Sequence, residues 1–221
     1  MADARDRPHE RLIGALAANL QPVRPLLSPP LRALVWLALV AAIAAALAMF
    51  ANLPAMRHRL TATPDMAFAV IGSIATAATA ALAAFELSLP DRSRAWALLP
   101  LPAFALWLSA SGLGCLRAYV LSDTHVATMG ETRDCLVFIV GLSMPLSAAL
   151  ILMLRRACSL APALTATMAG LASAAAAATL LNFFHPYDAA ATDLAVHLAA
   201  VGFVVIALRA VGSRALQNFS A

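Results

Sequence analysis

The chain has 221 residues, 62% of them apolar and 12% charged, with a mean hydropathy of +0.84 and a net charge of +4. Soluble domains carry about 25% charged residues, so this composition excludes an ordinary water-soluble globule and points to an integral membrane protein. All 15 basic residues are arginines, set in short groups between apolar runs. A nucleic-acid binder would gather them on one folded face, so direct nucleic-acid binding is not expected.

Residues 1–32 form the one sizeable polar segment. Asp3 and Asp6 precede Pro8, which suits a first helical turn. Leu12, Ile13, Leu16 and Leu20 then recur on one helical face. Pro22, Pro25, Pro29 and Pro30 predict that this helix stops and gives way to a stiff, extended connector. An amphipathic segment of this kind either lies on a membrane surface or docks into a groove on a soluble partner. The proline connector favours presentation to something off the bilayer.

Six apolar runs follow, over 33–53, 66–85, 95–114, 135–154, 162–183 and 192–208. Each is close to the roughly 20 residues that cross a bilayer as a helix. A cleaved leader would have an apolar core of about 7–15 residues near the start. The run at 33–53 is longer and lies behind the polar segment, so it is expected to stay as the first span.

Arginine counts give the orientation. With the N-terminus inside, the inner segments hold Arg5, Arg7, Arg11, Arg24, Arg32, Arg92, Arg94, Arg155, Arg156, Arg209 and Arg214; the outer ones hold Arg57, Arg59, Arg117 and Arg133. Trp36 and Trp96 fall where interfacial anchors sit, while Trp107 lies deeper and is expected to pack. The expected fold is therefore all-α and polytopic: a bundle of six transmembrane helices with short loops and both termini cytoplasmic. Its expected divisions are a cytoplasmic amphipathic segment and connector over 1–32, a transmembrane domain over 33–210 and a cytoplasmic tail over 211–221.

Cys115 and Cys135 bracket the polar loop between spans three and four, on the expected outer side. Adjacent antiparallel helices bring such positions within reach of a disulfide, which needs about 4.4–6.8 Å between α-carbons. The bacterial exterior is oxidising enough to keep such a bridge, and it would add roughly 3 kcal/mol of stability. A static bridge and two unrelated buried thiols both stand beside a reactive pair. Soft thiolates could also take Zn²⁺ or a heavier metal, with His125 or His185 as further ligands, although no close Cys/His spacing singles out a metal site. Cys158, beside Arg155 and Arg156, reads as an incidental loop thiol or as one activated by those charges.

His197 is an ionisable group inside span six, one helical turn after Asp193. Together with His185 and Tyr187 it forms either a packing cluster or an outer site. The outer His/Asp cluster supports an alternative reading, a small membrane transporter or metabolite sensor. No nucleophile triad, phosphate loop, metalloprotease helix or paired carboxylates appear, so neither an enzyme nor a bound cofactor is expected. The spans lack a mid-membrane carboxylate of the kind that proton-coupled transport usually needs. Gly170 and the run at 174–178 make span five a small-residue surface for close helix packing.

The stretches LIGALAANLQPVRPLLSPPLR, LPDRSRAWALLP and SGLGCL, then Cys135 with SMP, MLRRACSLAP, HPYD and the His197 region, resemble the NrsF-like membrane anti-sigma factors in order and layout. These are negative regulators of an extracytoplasmic-function sigma factor, sigma F, and the resemblance spans nearly the whole chain. It implies a multi-pass protein of the bacterial inner membrane that holds a sigma factor at the cytoplasmic face and releases it under heavy-metal or oxidant stress. The positions matching the family's cysteine pair are Cys115 and Cys135; Cys158 falls outside that pattern. The implied partner contact is the N-terminal segment, through Leu12, Ile13, Leu16, Leu20, Pro22, Val23, Arg24 and Pro25. Because that segment is short, the inner loops with Arg92, Arg94, Arg155 and Arg156 are expected to share the contact.

Overall fold

In a computed structural model the described residues form eight α-helices and one short 3-10 turn, with no strand among them. The structure describes residues 6–18, 25–62, 64–120, 129–157, 159–184 and 191–217. In chain order the helices are α1 (Asp6–Ala18), α2 (Pro29–Ala48), α3 (Leu53–Ala62), α4 (Pro64–Leu87), α5 (Leu101–Val120), α6 (Met129–Leu154), α7 (Pro162–Leu181) and α8 (Ala191–Gln217). The 3-10 turn, Arg94–Leu98, leads into α5. Six of these segments are long and apolar enough to cross a membrane.

Proline marks several helix starts. Pro29 and Pro30 open α2, and Pro162 opens α7. The first N–H groups of a helix have no partner inside it, so the missing donor costs nothing there and the fixed φ is already helical. Consequently α2 begins at Pro29 rather than at 33, and Arg32 lies inside a helix instead of in front of one. The basic stretch between the first two spans forms α3, a short helix whose sequence carries no apolar period.

The Ala-rich α7 is the most enclosed of the spans. It packs antiparallel against α4 and α8, and α6 covers a further side. Small side chains allow this. A methyl group at Gly170 would sit 3.0 Å from the Cα of Val205 on α8, and one at Gly72 of α4 would sit 2.7 Å from the backbone N of Trp107 on α5. Such spacing raises dispersion contact between backbones, the main source of helix association where lipid offers no hydrophobic drive. Several hydroxyls inside the bundle close on the preceding turn or across a helix pair. Thr76 donates to the Gly72 carbonyl at 2.7 Å and Ser173 to Ala169 at 2.9 Å, while Thr179 reaches the Ser73 hydroxyl of α4 at 2.9 Å.

Large apolar side chains point outward instead, among them Leu34, Phe68, Ile71, Leu113, Phe203 and Ile206. A small-residue interior with a bulky apolar exterior is the arrangement of a bundle solvated by hydrocarbon, where backbone groups must be satisfied within each helix. Trp107 packs, as its depth predicts, and meets Phe104 edge to face at 6.1 Å.

The bundle has two distinct ends. At one, the start of α2 meets the ends of α4 and α6 and the start of α7, with the end of α8 in the same cluster. This is called the arm end below, because α1 and residues 25–28 lead into it. The other, where α5 and α7 finish and α6 begins, carries Cys115 and Cys135 and is called the thiol end.

Candidate functional site

The arm projects three large apolar side chains. Leu12, Ile13 and Leu16 of α1 are 58%, 64% and 61% exposed, and α1 makes no extended contact with another helix. Pro25 is exposed in the non-helical stretch that joins α2. Leu20, Pro22, Val23 and Arg24, expected to share the partner contact, lie outside the described residues. An amphipathic helix leaves such a face uncovered when its hydrophobic stabilisation comes from something other than its own bundle.

The root of this arm is held tightly. All the buried residues of α2, Pro29, Arg32, Ala33 and Trp36, fall in its first two turns. Arg32 is 4% exposed. Its guanidinium donates to the Ser88 hydroxyl at 3.4 Å and to the Met153 carbonyl, and lies 4.5 Å over the Phe85 ring. A buried charge is tolerable only with such partners. Here a hydroxyl, a carbonyl and a π-face from α4, α6 and their ends supply them. Arg156 is exposed in the loop after α6, three residues beyond the Met153 carbonyl that receives Arg32.

Trp36 is fully buried, and its indole N–H donates to the Leu146 carbonyl at 3.1 Å. It is therefore not the interfacial anchor that its place in the sequence suggests; it fastens α2 to α6. Trp96, in the 3-10 turn, remains half-buried at the arm end.

The loops at this end are tied down as well. Glu86, 5% exposed, is ion-paired with Arg92 at 3.1 Å. Ser159 and Thr165 both donate to the Leu87 carbonyl, at 3.1 and 3.2 Å, joining the α6–α7 loop to the end of α4. The exposed Arg94 and Arg156 and the half-buried Arg155 complete a basic rim around the arm root.

At the thiol end the cysteines have different surroundings. Cys115, near the end of α5, is half-buried and carries a free thiol, so no bridge joins it to Cys135. Cys135, in the second turn of α6, is 7% exposed and packs with Ile139, Ala177, Leu181 and Ala200, which belong to α6, α7 and α8. Although α5 and α6 are consecutive spans, they make no extended contact; α5 lies on α4 and touches α8.

Sequence reading passed over Asp65. A methyl at Gly114 would sit 2.8 Å from Asp65 Oδ2, so this carboxylate of α4 abuts the residue before Cys115. An acidic residue after a proline at a helix start was the available signal. His125, Cys158 and His185 lie outside the described residues. His197 is half-buried on α8. Among the described residues no three His, Cys, Asp or Glu side chains come together as a metal site.

The arrangement offers no described constellation for bond-making chemistry. It offers an uncovered apolar helix, a rigid root for it, and two thiols at the far end. The family model for the negative regulator of sigma F, NrsF, matches residues 16–217, nearly the whole chain. Comparison with curated proteins and with solved structures gives no match.

Proposed function

The chain belongs to the NrsF family of negative regulators of sigma F, and from that premise we propose that it is a bacterial inner-membrane anti-sigma factor that holds an extracytoplasmic-function sigma factor at the cytoplasmic face. The observation that carries this reading is the arm: Leu12, Ile13 and Leu16 are exposed on a helix with no extended contact to its own bundle. An apolar face at i, i+1 and i+4 is what a groove on a soluble partner takes up. In this reading the contact continues through Leu20, Pro22, Val23, Arg24 and Pro25, and the rim of Arg92, Arg94, Arg155 and Arg156 meets acidic surface on the partner. The arm end faces the cytoplasm, as the arginine bias supports.

Sequestration is mass action. A sigma factor held at the membrane is withdrawn from RNA polymerase in proportion to its affinity for the arm, and release needs a second bundle packing with lower affinity. We assign the input to Cys115 and Cys135 at the thiol end, by oxidation or by capture of a soft metal.

Co-purification tests the capture. Membranes carrying the full chain should retain a co-expressed sigma factor through washing, and the chain lacking residues 1–25 should insert but leave the factor soluble. A sigma factor that never sediments with the full chain would overturn the reading. For the input, Cys115→Ser with Cys135→Ser should keep capture and lose release by cadmium or diamide; unchanged release would remove the thiols from the mechanism.

A further inference from the structure

Helix α6 has a proline inside it, Pro145. Proline supplies no N–H to the carbonyl of Gly141 and crowds it, so the helix is weakest there. Ser143 and Ser147 flank that point, 1% and 4% exposed, and their hydroxyls have no hydrogen-bond partner among the described residues. The contrast with the rest of the bundle is sharp. Thr76, Ser88 and Ser173 are as deeply buried, and each closes on a carbonyl three or four residues back. Buried hydroxyls are almost always bonded. Two left open beside a proline within a continuous helix disfavour the present packing relative to one in which they close on the preceding turn.

The two halves of α6 hold different parts of the molecule. The half before Pro145 begins at the thiol end and packs Cys135 and Ile139 against α7 and α8. Beyond the proline, the other half presents the Leu146 and Met153 carbonyls, which accept from Trp36 and Arg32. Both hydrogen bonds join α2 to α6, and α2 follows directly on residues 25–28 of the arm. By contrast α5, which carries Cys115, has no extended contact with α2 or α6.

We propose that α6 is a proline-hinged lever. Displacement of its thiol-end half changes the bend at Pro145, and the half beyond the hinge carries α2 and the arm with it through Trp36 and Arg32. The inference deepens the sigma-capture reading, on which its output rests, and places the route from input to output in α6. Ser143 and Ser147 add two hydrogen bonds to any packing in which they close on the preceding turn.

The test uses the full chain in lipid nanodiscs with its three tryptophans replaced by 5-fluorotryptophan. Trp36, Trp96 and Trp107 are assigned by single substitutions to Phe. Cys115→Ser and Cys158→Ser leave Cys135 as the one thiol. Methyl methanethiosulfonate then adds a methylthio group to its sulfur and releases methanesulfinate, and intact mass reports the yield. The Trp36 fluorine resonance should shift on modification while that of Trp107 stays, and Pro145→Ala should remove the Trp36 shift at equal yield. Where the buried thiol does not react, Cys135→Met introduces the bulk genetically, with the same expected shifts.

A Trp36 resonance that stays put, or one that moves equally with alanine at 145, overturns the lever. Sigma-factor retention is read on the same chains. A moving Trp36 with no factor bound by any chain leaves the lever standing and removes the capture reading; a silent Trp36 with normal capture and release does the reverse.

Discussion

Replacing Leu12 and Leu16 together by alanine is expected to free the sigma factor while the bundle stays in the membrane. Alanine keeps or improves helix propensity, so α1 persists and only its apolar face is lost. Each side chain is more than half exposed in the uncomplexed chain, so the substitutions leave the bundle's own packing untouched. Truncating a buried anchor at an interface costs more than about 1 kcal/mol, and two of them together correspond to a fall in affinity on the order of 100-fold. The measurement is the fraction of sigma factor that sediments with membrane vesicles as the vesicles are titrated. Retention at wild-type affinity would move the contact from α1 to the basic rim of Arg92, Arg94, Arg155 and Arg156. Salt then separates the two sites, since an apolar contact survives ionic strength that screens exposed arginines.

The second large effect is on the bundle itself. Gly72→Ala should destabilise it, whereas Gly202→Ala should not. A methyl at Gly72 would lie 2.7 and 2.8 Å from the backbone N and Cα of Trp107. Backbone cannot rotate away, so α4 and α5 must separate, at a cost of about 1–3 kcal/mol. That outweighs the roughly 1 kcal/mol by which alanine improves on glycine in a helix. A methyl at Gly202 meets nothing within 4 Å, so there the propensity gain stands alone. Thermal aggregation midpoints of the two purified variants in one detergent should fall on opposite sides of the parent. Equal midpoints would mean that α4 and α5 do not approach as closely as the structure has them.

The six spans were legible because a bilayer enforces uniform length and apolarity, and both survive in the sequence as long uncharged runs. So was the helix of the arm, where Leu12, Ile13 and Leu16 share one face before any tertiary structure is considered; Leu20 lies outside the described residues. What escaped the sequence is where a residue's environment comes from distant parts of the chain. Arg32 reads as a flanking charge because hydropathy treats every arginine as seeking water. It is buried because Ser88, Phe85 and Met153 receive it, and nothing near position 32 announces them. Trp36 has the same history, since a tryptophan one turn into a span fits an interface as readily as a buried hydrogen bond. The closeness of consecutive spans misled in the other direction. Cys115 and Cys135 flank one loop, yet α5 is drawn to α4 by Gly72 and Gly114 while α6 is drawn to α7 and α8.

The fastening of Arg32 also bears on how the protein is made. The first span emerges from the ribosome long before its partners, and the Met153 carbonyl that receives its guanidinium lies 121 residues further on. Ser88 arrives with the second span and Leu146 and Met153 with the fourth. Until the fourth span is synthesised, a chain has an arm but no seat for it. The finished geometry of the arm root is thus withheld from chains that stop short of the fourth span, and is conferred once residue 153 of 221 has been added.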